Sequence, residues 1–319
     1  MTGYRYLFGP VPSRRFGRSL GVDLVPMKTC TLNCVFCQLG ATPATGWQRA
    51  ETVPLDAVLE ELERWLSVDG RADVITLSGS GEPTLHTGFG EVLAFIGRCS
   101  SIPSLLLTNG TLLYDPDVRA AACRADTVKM SLSAWDQASF ERVNRPCAGY
   151  RFDMLVDGEK AFRRAYGGRL WLEVFLLNGI NSAPDDVRRI AALAAEIAPD
   201  RVQLNTVARP PAEDFAVAVE AGRLEELALL FDPPAEVIGG YRADTPAAAD
   251  ADADGILAMI RRRPVTAAQI AALTGLHRND IGKRLAILLA QNSIREDRRG
   301  GEAYFVARKD RNDTEPPSP

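Results

Sequence analysis

Three cysteines crowd into eight residues, Cys30-Thr-Leu-Asn-Cys34-Val-Phe-Cys37. Disulfide geometry is awkward at that spacing, and six cysteines in 319 residues are too few for a disulfide scaffold, so a reducing compartment is expected. A zinc site normally closes with four ligands in pairs. No matching second pair follows, and the two histidines, His86 and His277, lie far apart in sequence. Three thiolates suit an iron–sulfur cubane in which three irons are held and the fourth is open, because electron-transfer ferredoxin sites use four cysteines. Unless Cys99, Cys123 or Cys147 folds back, the missing ligand implies a bound substrate or cofactor. Three buried structural cysteines are the plain alternative.

Elements must position this loop, and the residues around it supply them. Six runs rich in Val, Ile and Leu, at Leu20–Pro26, Asp73–Ser78, Ser104–Asn109, Thr127–Ser133, Leu170–Leu177 and Arg201–Thr206, read as buried parallel strands. Between them the spacing predicts helices over Pro54–Ser67, Gly88–Cys99, Pro116–Cys123, Gln137–Val143, Met154–Tyr166 and Pro184–Ile197. Such alternation makes an α/β fold with right-handed crossovers, either an open doubly wound sheet or a partial or complete barrel. Polar groups collect where the strands end: Ser78-Gly-Ser-Gly-Glu82-Pro83-Thr84, Asn109, Lys129-Met-Ser131-Leu-Ser133, Asn178 and Asn205. Carboxyl ends of parallel strands form the active-site face. Gly79 and Gly81 permit close backbone approach, and Glu82 is an acceptor for a cation.

The CxxxCxxC pattern, with the aromatic Phe36 before its last cysteine and a strand ahead of it, resembles the signature of the radical S-adenosylmethionine (SAM) superfamily. Gly79-Ser80-Gly81-Glu82-Pro83 resembles that family's Gly-Gly-Glu-Pro motif, with Ser80 where a glycine often stands. Gly9-Pro-Val-Pro-Ser-Arg14-Arg15-Phe-Gly-Arg18 and Val143-Asn144-Arg145-Pro146 resemble a group of bacterial and archaeal iron–sulfur oxidoreductases related to the wyosine tRNA-modifying enzymes. The resemblance runs from about Tyr4 to Gly240. It implies a partial (βα)6 TIM-like barrel with a [4Fe–4S] cluster on Cys30, Cys34 and Cys37. SAM would chelate the open iron and, on receiving an electron, release a 5′-deoxyadenosyl radical. Phe36, Gly79, Gly81, Glu82, Asn109, Ser131 and Ser133 are the implied SAM contacts, with Phe36 near the adenine and the Glu82 turn receiving the methionyl ammonium. A low-potential electron donor such as flavodoxin or ferredoxin is implied as well. Arg14, Arg15 and Arg18 suit either a substrate anion or surface salt bridges. Arg145 is a candidate site residue and Cys147 a candidate auxiliary thiol, while Cys99 and Cys123 suit helix ends against the core.

Composition sets outer bounds. With 46% hydrophobic and 24% charged residues the chain is globular, and its length suggests about two domains. No apolar run approaches the ~18 residues of a membrane span, and Met1 to Arg15 lacks the pattern of a signal peptide, so a cytoplasmic enzyme is expected. The net charge of −4 conceals a basic segment, Gly255 to Lys309, with eleven Lys/Arg against four Asp/Glu. The Ala/Asp-rich stretch before it reads as a linker. Beyond come helices at Ile256–Arg263, Ala267–Leu273 and Arg278–Asn292, a Thr274-Gly275 turn, and a hairpin over Ser293–Val306 around Gly300-Gly301. This is the order of a winged helix. Ile281, Leu285, Leu288 and Leu289 would be the buried face of the third helix, with Arg278, Asn279 and Lys283 outward and Arg298 and Arg299 on the wing. The expected layout is a barrel over 1–240, a linker over 241–254, a winged helix over 255–309 and a tail over 310–319. For substrate, RNA, particularly tRNA, ranks first and a peptide second. A redox-sensing DNA-binding regulator explains both ends of the chain but leaves the Glu82 turn unused.

Overall fold

The computed structural model describes residues 4–13, 16–238, 253–274, 276, 278–299 and 302–308. Arg14, Arg15, Gly239, Gly240, residues 241–252 of the expected linker, Gly275, His277, Gly300, Gly301 and the 310–319 tail lie outside them, as do the side chains of Arg278, Asn279 and Arg299. The chain divides into two compact units, Met1–Tyr241 and Arg242–Pro319.

The larger unit is built on an eight-stranded sheet whose spatial order follows the chain: β1 (Leu7–Ser13), β2 (Gly17–Val22), β3 (Val74–Leu77), β4 (Ser104–Leu107), β5 (Thr127–Ser131), β6 (Arg169–Phe175), β7 (Arg201–Asn205) and β8 (Glu236–Val237). Strands β2 to β8 pair in parallel, and β1 runs antiparallel to β2. Two of these strands escape the hydrophobic pattern. Pro10 and Pro12 argue against a strand at β1, yet an edge strand tolerates the missing N–H donors. At two residues, β8 is too short to register.

Crossover helices are α1 (Leu55–Val68), α2 (Phe89–Cys99), α3 (Pro116–Ala122), α4 (Gln137–Val143), α5 (Phe152–Ala165), α6 (Pro184–Ile197) and α7 (Ala221–Ala228), the last not anticipated. Their apolar stripes form one core with alternate strand residues. Val58, Leu62 and Trp65 of α1, at helical spacing, pack in the cluster that includes Val22, Leu77, Leu106, Val128, Leu172 and Leu204. The other alternates share the opposite face of the sheet, where register lines up Ser131, Glu173, Gln203 and Glu236. That face is polar. Asp136 caps α4 by accepting from the Ser139 N–H at 2.7 Å, which fixes where the chain turns toward Asn144.

The smaller unit comprises α8 (Ala253–Arg262), β9 (Val265–Thr266), α9 (Ala267–Thr274), α10 (Arg278–Ala290) and the hairpin β10 (Ile294–Arg299) with β11 (Glu302–Ala307). Its sheet order is β10-β11-β9, all antiparallel. Helix α8 begins two residues inside the stretch read as linker. Ile281, Leu285 and Leu288 enter a core with Ile256, Ile270 and Phe305, but Leu289, one turn past Leu285, sits at the edge of that stripe and is 38% exposed.

Candidate functional site at the strand ends

The cysteine loop leaves the carboxyl end of β2 and is stitched to the segment that follows α4. Asn33 N–H donates to the carbonyls of Asn144 (3.1 Å) and Arg145 (3.0 Å), Val35 N–H to Val143 (3.0 Å), and Cys147 N–H to Thr31 (3.0 Å). Arg145 takes a left-handed backbone at φ 47° and pairs with Glu213, whose own N–H donates to the Val35 carbonyl at 3.0 Å. Arg145 thus ties the loop after β7 to the cysteine loop. Arg18 stands at the start of β2, where its backbone N–H donates to Asp73 Oδ2 at 2.6 Å, at the opposite end of the strand from the cysteines.

Each thiol of the motif meets one side-chain nitrogen, each from a different segment, and the Leu32 backbone N–H adds a second donor at Cys30. Asn109 Nδ2 lies 3.5 Å from Cys30 Sγ, Asn144 Nδ2 3.3 Å from Cys34 Sγ, and Lys28 Nζ 3.2 Å from Cys37 Sγ. Burial pushes the Cys30 thiol up to about 11, with the Glu82 charge adding to the rise. Burial raises Cys34 further, and the charges of Cys30 and Cys37 push the same way. The three sulfurs are therefore electrostatic neighbours, and ligation there must release protons. Among the described residues no three His, Cys, Asp or Glu side chains stand as a group able to hold a metal ion. A tetrahedral zinc would need sulfurs about 3.8 Å apart, whereas thiolates around a cubane are spread over three different irons.

The turn after β3 packs directly on this loop. Glu82 N–H donates to the Thr29 carbonyl at 2.9 Å, and a Cβ on Gly81 would sit 1.8 Å from that oxygen, so only glycine closes the contact. Gly79 adopts φ 149°, and Ser80 donates from N–H (3.0 Å) and Oγ (2.5 Å) to the Asp23 carboxylate. The departure from a glycine pair is thus a built-in hydrogen bond. The Glu82 carboxyl is buried, and burial raises its pKa against the opposing donors Asn109 N–H (2.7 Å), Thr108 Oγ1 (2.7 Å) and Thr84 (Oγ1 2.6 Å). Three donors, Thr84 N–H included, converge on Oε1 and one on Oε2, which leaves Oε2 the freer acceptor.

The remaining expected contacts are placed unequally. The Asn109 side chain is turned to Cys30 and to Thr31 Oγ1 (2.9 Å) and accepts from Thr111. Ser131 is half-buried at the end of β5, whereas Ser133 Oγ faces β6 and accepts the Phe175 N–H at 3.0 Å. Phe36 stacks on Phe175 with centroids 4.1 Å apart and planes 9° from parallel, a partner the sequence reading missed. On β5 and β6, Lys129 Nζ lies 2.7 Å from Glu173 Oε1, which also accepts from Asn205 Nδ2 at 3.2 Å. Gln203 Oε1 beside them is buried without a partner. Asn178 is exposed, Cys99 is exposed at the end of α2, Cys123 caps α3, and Cys147 is buried near Tyr114 and Tyr150.

The donor set fits an iron–sulfur cluster of the cubane kind: three soft thiols, a nitrogen donor at each sulfur, and a buried Asn144 Oδ1 without a partner at their edge.

Residues 24–222 match the Radical SAM superfamily. The UPF0026 protein of Helicobacter pylori (strain ATCC 700392 / 26695) is 32% identical over 315 residues, covering 94% of this chain and 97% of that one. A Brachyspira hyodysenteriae protein named GTPase Obg is 33% identical over 299 residues; 91% of this chain is covered, but only 43% of that protein. Among solved structures, a radical SAM methyltransferase from Sphaerobacter thermophilus shares the fold with TM-score 0.50 at 18% identity, over 69% of this chain and 66% of that one.

Proposed function

This chain belongs to the radical SAM superfamily, and from that premise we propose that Cys30, Cys34 and Cys37 hold a [4Fe–4S] cluster whose fourth iron is left for SAM. The observation that carries the reading is the set of three thiols, each with its own nitrogen donor, set against the buried Glu82 turn. When bound, the cluster and SAM would supply radical hydrogen-abstraction chemistry, through a 5′-deoxyadenosyl radical, with the electron drawn from a low-potential donor of the flavodoxin or ferredoxin kind. The chain's own residues bind, orient and exclude water. Gly79 and Gly81 would let backbone approach the methionyl end, Glu82 Oε2 would accept from its ammonium, and the Asn109 N–H holds that carboxylate in place. Ser131, Ser133 and the ring of Phe36, backed by Phe175, line the nucleoside end. The polar wall of Lys129, Glu173, Gln203 and Asn205 faces the substrate side.

The smaller unit is read as a winged helix that brings an RNA, particularly a tRNA, to this site, with a peptide as the second substrate class. Exposed Lys283 on α10 supports it. Arg298 on the wing is exposed but bonded to Glu296 at 2.7 Å, which weakens its pull on phosphate. No GTP chemistry is proposed, although one relative bears a GTPase name. The only Gly-Lys pair, Gly282-Lys283, is followed by Arg284 and so completes no phosphate-binding loop.

The test is anaerobic reconstitution, dithionite reduction with SAM, and mass-spectrometric detection of 5′-deoxyadenosine. Product from the native chain and none from the Cys30/Cys34/Cys37 triple-Ala variant is expected. A loaded, reducible cluster that yields no product, with or without tRNA and peptide pools, would overturn the reading.

A further inference from the structure

Of the three side-chain donors on the three sulfurs, two are neutral amides and one is an ammonium. Lys28 reaches Cys37 Sγ from a backbone held at φ 65°, a left-handed conformation that residues other than Gly, Asn and Asp seldom take. Its own N–H donates to the Ser80 carbonyl at 2.7 Å, and the next N–H, of Thr29, donates to Pro26 at 3.0 Å. Lys28 is thus clamped between the cysteine loop and the Gly79–Glu82 turn, at a position where glycine would serve the backbone more easily. A side chain kept in such a conformation points to a use for the side chain. Its charge also acts on Cys30 and Cys34, so its field covers all three sulfurs.

We propose that Lys28 sets the reduction potential of the cluster held by Cys30, Cys34 and Cys37, an inference that rests on the functional reading above. Cluster potentials follow net charge and the hydrogen bonds made to sulfur. One-electron reduction adds a negative charge, which a cation one hydrogen bond from a ligand sulfur stabilises. Lys28 therefore makes the cluster easier to reduce. The electron comes from the external donor, dithionite in the test, and no other group is transferred. Asn109 and Asn144 satisfy their sulfurs without adding charge. Lys28 touches a ligand rather than substrate and acts as a tuning residue.

The experiment is an EPR-monitored redox titration of the reconstituted full chain without SAM, comparing Lys28→Met, Lys28→Gln and Lys28→Arg with the native protein. Met and Gln, which remove the charge, should shift the one-electron equilibrium at least tenfold toward the oxidised cluster, about 59 mV more negative. Arg should stay within threefold of native. If Met fails to take up iron, Gln against Arg makes the same comparison. Unmoved potentials in a cluster that still supports SAM cleavage would overturn this inference alone, whereas a native chain that assembles no cluster would overturn it together with the functional reading.

Discussion

Replacing Glu159 with Gln should flatten the pH dependence of folding stability. Glu159 lies on α5, fully buried, with neither carboxyl oxygen hydrogen-bonded, and burial pushes its pKa well above the ordinary 4.5. It packs so tightly under the Asn109 loop that a Cβ on Gly110 would stand 2.5 Å from its Oε1. An acid raised in this way keeps its proton in the native chain after the unfolded chain has released it. Below about pH 4.5 both states are protonated and the carboxyl costs nothing extra. From there up to the folded pKa the native state loses about 1.4 kcal/mol per pH unit. The Gln variant has no proton to release, so the difference in unfolding free energy between the two proteins should change by about 1.4 kcal/mol per pH unit above the unfolded value for as long as the folded carboxyl keeps its proton. Any fixed cost of the buried amide cancels, and so does Glu82, which shifts in the same direction in both. Urea unfolding followed by circular dichroism at four pH values measures it. Parallel curves would refute the reasoning, because they would mean that Glu159 ionises in the folded chain near its ordinary value.

Three further outcomes follow from the site. Ser80→Ala strips the Asp23 carboxylate of a 2.5 Å donor in a buried setting and should cost about 1–3 kcal/mol, read as a lower urea midpoint at unchanged slope; an unchanged midpoint would contradict it. Gly81→Ala places a methyl 1.8 Å from the Thr29 carbonyl and should force the turn off the cysteine loop, cutting reconstituted iron and sulfide by half or more; full loading would show that the turn can open without disturbing the cysteines. Phe175→Ala removes the ring stacked on Phe36, a contact of about 0.5–1.5 kcal/mol beyond its area, and should weaken SAM binding several-fold by equilibrium dialysis while leaving iron content intact. Equal affinity would remove the stack from the account.

What the sequence discloses and what it hides divide along contact range. The cysteine spacing and the glycines around Glu82 are local, and six strand runs and six helices are periodic, so all were legible. The edge strand β1 was not, because its prolines break propensity rules that only an edge relaxes. Lys28, Asn144 and Phe175 gained their roles from partners 9, 110 and, for Phe36 and Phe175, many residues distant. No local pattern encodes such meetings. Ser133 gains a link of the same kind: past β5, its hydroxyl accepts the Phe175 N–H and keeps its own proton to donate. Leu289 shares a helical face with Leu285, but it lies where that face leaves the core, an edge that spacing alone does not mark.

Mössbauer spectroscopy of the iron-57 reconstituted chain, before and after SAM, tests the central claim most directly. Three thiolate-held irons and one open iron predict a three-to-one site pattern in which only the unique iron responds to SAM. Four equivalent irons indifferent to SAM, or an unchanged spectrum from the Cys30/Cys34/Cys37 triple-Ala variant, would contradict it.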